Sequence, residues 1–399
     1  MHFHKSASIL LSAVLLAAAV PNTAAHASSF SMPDIVGELK QVSISEIEVS
    51  SDFVQASSFQ EGVSQMRSYM AERKTEFTIS IPSNSVSSFD DAPKIILAEV
   101  FKETQKGCEG DYLRYGLGRY DCNYSMSSGK ITMNFIMQYY TTSSDEQKVT
   151  DECRKVLDSL GVGNMPDYDK IITIYRYIAD NTKYAKSISD KHVFTAYGAL
   201  IDHVAVCQGY SQLFYRMTKE AGLSCRIISG KSNGENHTWN IVKLGGIYYL
   251  VDVTWDSSLG NNSMIYFLKG SKDFDLVMTK YTHTPEYEYN IIFDDFNSPE
   301  FKANYPISEY KYAASTVLSD GDINGNGKID AVDASSILKY YADTSAGRSG
   351  SFSKNQQAAA DVNKNGKIDA VDASCILSYY AESSVRNVGT LPDFISRMK

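Results

Sequence analysis

The sequence predicts an α+β fold, in which a helix carrying a cysteine packs on an antiparallel sheet carrying a histidine and an aspartate, with a small all-α domain after it. Leu213, Phe214 and Met217 recur at helical spacing after Cys207, which is typical of an amphipathic helix. The segment 237–254 alternates about a glycine pair like a β-hairpin. An oxygen-rich loop occurs twice near the C-terminus, each time before nearly the same helical sequence.

The predicted helix begins at Cys207 and ends before Gly222, because glycine is common just past a helix C-terminus. A cysteine at a helix N-terminus lies at the positive end of the helix dipole, which favours its thiolate. A neighbouring imidazolium has the same effect. Such a thiol is a candidate nucleophile for acyl transfer.

The predicted hairpin brings a histidine close to a carboxylate. With the glycine pair 245–246 as the turn, counting outward places His237 opposite Thr254. His237 and Asp252 then lie on one face of the sheet as diagonal neighbours, roughly 7–8 Å apart at the backbone. A carboxylate reaches an imidazole nitrogen across that gap, where it fixes the tautomer and stabilises the charged form.

The sequence around these three residues resembles a known family. The segments are AYGALIDHVAVCQGY, AGLSCRIISG, HTWNIVKLGGIYYLVDVTWD and IYFL. They resemble the bacterial transglutaminase-like, papain-related superfamily, whose pattern is a Cys before Gly-Tyr, a His before x-Trp-Asn and an Asp in a V-D-x-T-W strand. The resemblance implies a papain/transglutaminase-like core with Cys207, His237 and Asp252 as catalytic residues. Thr238 stands where alanine is usual, and we expect no catalytic consequence from it.

Other cysteines and histidines receive structural interpretations. A lone cysteine in an apolar run is usually a small buried hydrophobe, which is how we interpret Cys225 and Cys375. The six cysteines are too few for a disulfide scaffold in a chain of this length. A disulfide between Cys108 and Cys122, which bracket a hairpin-like stretch, stays open, and His283 receives no role.

Composition and the N-terminus indicate a secreted protein of two or three domains. The net charge of −9 and the absence of a basic run argue against nucleic acid and anionic membranes as partners. The apolar run ILLSAVLLAAAV is followed by small residues ending at Ala27, a pattern typical of a cleaved secretory signal peptide. The run is shorter than the ~20 residues that a membrane span needs.

We divide the chain into five segments. These are a signal peptide (1–27), an N-terminal α+β region supporting the core (28–141), the transglutaminase-like domain (142–300), a linker (301–317) and a C-terminal domain (318–395). No chemistry is assigned to 28–141. The patterning there predicts helices around 60–73 and 90–104, and strands at TEFTISIP and KITMNFIMQYY.

The repeated loop has the ligand plan of an EF-hand calcium site. Oxygen side chains stand at positions 1, 3, 5, 9 and 12, glycine stands at position 6, and a lysine offers its carbonyl at position 7. The departures are Asp rather than Glu at position 12 and the lack of an EF-hand type of helix before either loop. The predicted ligands are Asp322, Asn324, Asn326, Lys328, Asp330 and Asp333 in the first loop, and Asp361, Asn363, Asn365, Lys367, Asp369 and Asp372 in the second.

The two repeats resemble a type I dockerin, as GKIDAVDASSILKYYA and GKIDAVDASCILSYYA illustrate. The resemblance implies two structural Ca²⁺ ions and a cohesin module of a scaffold protein as partner. The contact positions are Ala331, Val332, Leu338 and Lys339 in repeat one, and Ala370, Val371, Leu377 and Ser378 in repeat two. Because the repeats are so alike, we expect a pseudo-twofold surface. The C-terminal LPDFISRMK is expected to pack back onto this domain.

These features together predict a secreted, cellulosome-type component that carries a cysteine-nucleophile acyl-transfer enzyme. Its substrate is a peptide or carboxamide bond, with hydrolysis favoured over amine transfer by a transglutaminase. No cofactor is expected for catalysis. The alternatives are a non-catalytic module that binds peptide or polysaccharide, and a polysaccharide-degrading enzyme. The last needs paired carboxylates in a cleft, and we find no convincing pair outside the calcium loops.

Overall fold

The computed structural model describes residues 36–259, 263–275, 282–286, 296–312, 318–324, 328–348, 350, 352 and 354–398. The predicted signal peptide and the predicted ligand Asn326 lie outside these residues. No helix among the described residues is long and apolar enough to cross a membrane. The architecture is mixed α+β with a helical C-terminal region, which confirms the predicted fold class.

The N-terminal region is a five-stranded sheet with two helices on one face. Its elements are β1 (Val36–Gln41), β2 (Phe53–Gln55), α1 (Phe59–Ala71), β3 (Glu76–Pro82), α2 (Ala92–Val100), α3 (Asp111–Gly116), β4 (Leu117–Ser127) and β5 (Lys130–Tyr139). The strand order is β1-β4-β5-β3-β2. Met66 of α1 and Ile96 of α2 pack with Phe77 and Phe135 of the sheet in one apolar cluster. The two predicted helices and two predicted strands are confirmed within a few residues.

The central region places one buried helix against a four-stranded sheet. Its elements are α4 (Ser143–Ser159), α5 (Asp167–Asn181), β6 (Lys183–Tyr184), α6 (Ala196–Leu200), β7 (Val204–Ala205), α7 (Cys207–Glu220), β8 (Cys225–Ser232), β9 (Glu235–Leu244), β10 (Ile247–Val251), α8 (Val253–Leu259), β11 (His283–Pro285) and α9 (Pro299–Asn304). The sheet order is β10-β9-β8-β11. Leu213 and Phe214 of α7 pack in one cluster with Val242 of β9 and Tyr175 of α5.

The hairpin between β9 and β10 has the predicted register. Leu244 pairs with Ile247, and the two glycines of the turn both have positive φ, as a two-residue hairpin turn requires. The strand ends earlier than expected, however. Asp252 follows β10 and the chain enters α8 at Val253, so Thr254 lies on a helix and does not face His237.

The predicted linker 301–317 is wrong for its described part. Phe301 and Tyr305 pack in the same apolar cluster as Tyr248 of β10, and Ile307 forms a β-bridge with Tyr248. The backbone N–H of Tyr312 donates to the carbonyl of Leu268 at 2.7 Å. Residues 296–312 therefore belong to the central region, because their aromatic side chains cover the outer face of its sheet.

Every cysteine among the described residues is a free thiol, so Cys108 and Cys122 do not form the disulfide that the sequence left open. Cys122 is buried in the N-terminal cluster, whereas Cys108 packs against the central one. Cys225 is 1% exposed, as predicted, but Cys375 is only partly buried.

A buried ion cluster joins the N-terminal and central regions. Asp111, at the start of α3, accepts hydrogen bonds from Arg226 Nε at 2.8 Å and from the backbone N–H of Ile227 at 2.8 Å. Nearby, Glu103 accepts from Lys219 Nζ at 3.0 Å. The side chains of Asp111 and Arg226 are 1% and 3% exposed, so their attraction is poorly screened by water.

Removing one partner of this cluster should destabilise the protein strongly. We expect Asp111→Ala to lower the free energy of unfolding by about 3–5 kcal/mol, because it leaves the buried Arg226 guanidinium without its nearer carboxylate, and Glu103 lies 3.5 Å away. The surface pair Asp151–Arg154, with side chains 48% and 68% exposed, provides the control. Asp151→Ala should change stability by less than about 1 kcal/mol. Urea denaturation of both variants measures the difference, and equal losses would contradict the assignment.

The C-terminal region is helical, with α10 (Ala331–Ser345), α11 (Lys354–Ala360), α12 (Ala370–Ser383) and α13 (Leu391–Met398). Ile337 of α10 and Ile376 of α12 are fully buried in one apolar cluster, so the two repeat helices pack as predicted. Phe394 and Ile395 of α13 join that cluster, which confirms that the C-terminal segment packs back. The short helix α11 precedes the second loop.

Candidate active site

Cys207 is the first residue of α7, as predicted, and the residue is partly exposed. The neighbouring Gly209 lets the helix start approach the 193–195 segment closely. A Cβ at Gly209 would lie 2.7 Å from the carbonyl oxygen of Val193 and 2.9 Å from that of Thr195. Any larger residue at 209 would push the helix start, and the thiol with it, out of place.

Hydrogen bonds from a side-chain amide hold α7 against the sheet that carries His237. Asn240, on β9, donates from Nδ2 to the backbone carbonyl of Ser211 on α7 at 3.1 Å and to that of Arg226 on β8 at 3.2 Å. Asn240 is 1% exposed. Because both of these acceptors are backbone atoms, the position of β9 relative to the helix is set independently of their side chains.

The structure brings the three predicted residues together. His237 Nε2 lies 2.7 Å from Asp252 Oδ2, which leaves Nδ1 for the hydrogen bond between the imidazole and Cys207. The other oxygen of Asp252 accepts from the backbone N–H of Trp255 at 3.1 Å. Tyr175 of α5 donates to the backbone carbonyl of Asp252 at 2.8 Å. The first turn of α8 therefore holds the Asp252 carboxylate, and a buried tyrosine holds its backbone.

The electrostatics of the site favour a thiolate–imidazolium pair. Burial alone would raise the pKa of Cys207, but the hydrogen bond and charge of His237 outweigh it and hold the pKa below its usual value. Burial would lower the pKa of His237, yet the charge and hydrogen bond of Asp252 raise it to about 10. Burial opposes ionisation of Asp252 as well, and the two histidines beside it depress its pKa nonetheless.

Thr238 contacts the thiol, which the sequence did not indicate. After burial and His237, hydrogen bonds from the Thr238 side chain and backbone are the next largest influences, and both lower the pKa of Cys207. Thr238 is fully buried and its Oγ1 lies 3.3 Å from the Oγ of Ser211. An alanine at this position would lack the hydroxyl.

A second histidine, which sequence reasoning left without a role, binds the same carboxylate. His283 Nε2 lies 3.0 Å from Asp252 Oδ2, and its Nδ1 lies 2.7 Å from Asp275 Oδ1. The His283 side chain is 2% exposed. No local sequence pattern predicts this contact, because it depends on the pairing of β11 with β8 at the sheet edge.

Two clusters in the described part of the chain have potential metal-ligand atoms within 4.8 Å of one another. The first is His237, Asp252 and His283, where both imidazole Nε2 atoms face a single carboxylate oxygen at hydrogen-bond distance. That geometry is better explained by N–H donors. The second comprises Asp190, His192 and Asp202 at the surface, where the nearest His192–carboxylate contacts exceed 3.5 Å.

The C-terminal loops carry the oxygen donors expected of calcium sites. Asp333 and Asp372, at position 12 of each loop, are fully buried. Asp333 accepts from the backbone N–H of Ile323 at 2.9 Å, and Asp372 accepts from that of Asn363 at 3.2 Å. Among the described residues neither carboxylate forms a salt bridge, and burial raises the pKa of Asp333 to about 6. Buried anions of this kind fit a divalent cation with oxygen ligands.

Family models match both halves of this architecture. The model of the transglutaminase-like superfamily matches residues 154–253, and that of the dockerin type I domain matches residues 320–379. The chain carries a transglutaminase-like core followed by a type I dockerin.

Relatives of known sequence and structure share only part of the chain. Over 108 residues it is 32% identical to the kyphoscoliosis peptidase of Homo sapiens and, equally, to that of Mus musculus. Each match covers 23% of this chain and 16% of the relative. The crystal structure of a TGase aligns over 63% of this chain and 71% of its own, with 15% identity and a TM-score of 0.27.

The expected contact positions of the dockerin lie on its surface. Val332 and Leu338 in repeat one are 59% and 43% exposed. Their counterparts Val371 and Leu377 in repeat two are 56% and 42% exposed. The near-equality of these values means that the two repeats present similar apolar surfaces.

Proposed function

We propose that this protein is a secreted, scaffold-attached enzyme that transfers acyl groups from peptide or carboxamide bonds through Cys207, His237 and Asp252. The observation that carries the proposal is the ordered contact of a helix-start thiol with an imidazole, and of that imidazole with a buried carboxylate at 2.7 Å. This is the order of groups that activates a cysteine nucleophile: a base on the thiol and a third group that orients the base.

In the first half of the reaction the Cys207 thiolate attacks the carbonyl carbon and forms a C–S bond. The oxyanion that results is stabilised by the backbone N–H of Cys207, since the first N–H groups of a helix have no partner within the helix. The tetrahedral intermediate then breaks its C–N bond. His237 gives its proton to the departing amine, and a thioester remains on Cys207.

In the second half an incoming nucleophile releases the acyl group. Water loses a proton to His237 as it attacks the thioester, and the C–S bond breaks to regenerate the thiolate. Water makes the enzyme a peptidase or amidase, whereas an amine makes it a transglutaminase. We favour hydrolysis, because water reaches the thiol unless a dedicated acceptor site excludes it, and the name of the peptidase relatives agrees with this choice.

The dockerin supplies the location in this proposal. Two Ca²⁺ ions, held by the predicted oxygen ligands, would fold the loops, and one of the two repeat surfaces would bind a cohesin of a cellulosome-type scaffold outside the cell. A signal peptide at residues 1–27 is part of the same proposal. The proposed mechanism uses no cofactor in the active site.

The experiment that tests the enzyme proposal uses a mixed peptide library with a labelled primary amine, analysed by mass spectrometry. New peptide ends that need Cys207 indicate hydrolysis, and label on glutamine side chains indicates amine transfer. Cys207→Ser is the control. If neither product forms above the level of that control, the enzyme proposal is wrong, and the alternative of a non-catalytic peptide- or polysaccharide-binding component is favoured.

The similarity of the two dockerin repeats predicts redundant binding of cohesin. Val332→Asp alone should leave the dissociation constant within a few-fold of the parent, because repeat two presents the same surface. Val332→Asp with Val371→Asp should weaken binding by at least 100-fold. Val385→Asp, at a residue 82% exposed outside the contact positions, is the control. Calorimetric titration measures all three, and complete loss of binding in Val332→Asp alone would contradict the two-repeat surface.

A further inference from the structure

The contacts of His283 extend the proposed triad by two residues. Asp252 Oδ2 receives both His237 Nε2 at 2.7 Å and His283 Nε2 at 3.0 Å. On the far side of the His283 ring, Asp275 Oδ1 lies 2.7 Å from Nδ1. Asp275 Oδ2 also accepts from the backbone N–H of His283 at 2.9 Å. The chain of contacts therefore runs from the thiol to Asp275, whose side chain is 31% exposed.

Both ring nitrogens of His283 face a carboxylate oxygen. Asp252 accepts from two histidines and a backbone N–H, which favours its ionised form. Because an ionised carboxylate only accepts hydrogen bonds, His283 Nε2 is the donor in its contact with Asp252. His283 therefore links Asp275 to the carboxylate that His237 contacts.

Close packing holds this second histidine in place. Its ring centroid lies 4.3 Å from that of Phe274 and 5.0 Å from that of Trp239. A Cβ on Gly230 would lie 2.1 Å from the Thr284 carbonyl oxygen, so this glycine allows β11 to approach the sheet edge. The ring consequently cannot turn away from Asp252 without moving the strand.

Among the residues that the structure describes, the charged and titratable groups around His283 come from four elements or loops. They are Asp252 after β10, His237 on β9, Asp275 in the segment before β11, and Tyr266, whose ring centroid is 5.6 Å away. The lysine of the neighbouring strand, Lys231, hydrogen-bonds to Asn236. His237 and His283 thus share one carboxylate, with ring centroids 5.5 Å apart.

We propose that His283, held in place by Asp275, is a positioning residue that shares Asp252 with His237 and thereby sets the pH at which His237 gives up its proton. A second N–H donor on the same carboxylate oxygen disperses its negative charge, which weakens the pull of Asp252 on the His237 proton. It counteracts the strong pull of Asp252, which would otherwise make His237 a poor proton donor to the leaving amine. This inference rests on the proposed acyl-transfer function.

The test compares alkylation of Cys207 by iodoacetate and by iodoacetamide in the full-length protein across pH. Iodoacetate is an anion and gains from a nearby imidazolium, so the ratio of the two rates falls as His237 loses its proton. His283→Gln breaks the link between Asp275 and Asp252, and Asp275→Asn removes the carboxylate that holds the His283 ring in place. We call the fall of this ratio at high pH its alkaline limb. In both variants we expect the alkaline limb to move up by about one pH unit.

Two matched variants separate positioning from stability. Asp275→Glu retains the carboxylate and should restore the limb of the parent protein, and His203→Asn alters an exposed histidine and should leave it unchanged. If the alkaline limb of the rate ratio stays at the pH of the parent protein in Asp275→Asn and His283→Gln, the inference is wrong, even if the melting temperature of these variants falls. Zinc that copurifies with the parent and is absent from His283→Gln would also overturn it, because His283 would then be a ligand. Slow alkylation of Cys207 in the parent would instead contradict the proposed function itself.

Discussion

His237→Ala slows the alkylation of Cys207 by iodoacetamide at pH 7 by about 100-fold. In the parent protein the His237 imidazolium offsets the burial of the thiol and keeps the pKa of Cys207 below its ordinary value. Without that partner, burial raises the pKa of the thiol above its ordinary value, so at most a few per cent of it is ionised at neutral pH. Peptide mapping after timed labelling measures the rate at this cysteine.

The other cysteines provide an internal comparison. Burial raises the pKa of Cys153 to about 12, and it raises that of Cys225 as well. Neither should label at a measurable rate in the folded protein at pH 7. His203→Asn controls for the loss of a histidine outside the site. If Cys207 labels no faster than Cys225, the site has no activated thiol and the enzyme proposal fails.

The pH dependence of acyl transfer follows from the same groups. The Cys207 pKa is lowered, so its thiolate persists in acid and activity is lost only as the pH falls through that depressed value. The His237 pKa is raised to about 10, so the proton that the leaving amine needs is available below that pH and lost above it. The expected profile is broad, with its alkaline limb near pH 10.

Chelation of calcium unfolds the dockerin and leaves the transglutaminase-like core folded. Each loop gathers several carboxylates, and the buried Asp333 and Asp372 have no cationic side chain as partner among the described residues. Calcium removes their repulsion, and ligand linkage stabilises the bound fold by about 4 kcal/mol when the free ion exceeds its dissociation constant 1,000-fold. Scanning calorimetry should show two transitions in calcium and loss of the dockerin transition in EGTA.

Substitutions reproduce the effect of the chelator in this prediction. Asp333→Ala with Asp372→Ala should abolish the dockerin transition even in calcium, along with cohesin binding. Asp343→Asn removes one negative charge from α10 outside the loops, and it should leave both properties nearly intact. A dockerin transition that is the same with and without EGTA would show that calcium does not contribute to the fold.

The N-terminal region illustrates what periodicity alone can predict. Strands such as β5 and helices such as α1 were found because alternation and helical spacing are properties of short segments. The sequence did not indicate the role of the N-terminal region, because the pairing of Asp111 with Arg226 joins residues that are distant in sequence. Only the folded chain shows that this region is fixed to the central one by buried charge.

The sequence by itself determined the three candidate catalytic residues, the register of the β9–β10 hairpin and the two repeated loops. Each depends on local spacing: a helix start, a glycine turn or a fixed series of oxygen donors. The tertiary structure decided the rest. Thr238 contacts the thiol because the start of α7 meets β9, and His283 reaches Asp252 because β11 pairs with the edge of the sheet. Contacts between distant segments follow from packing, which no local pattern encodes.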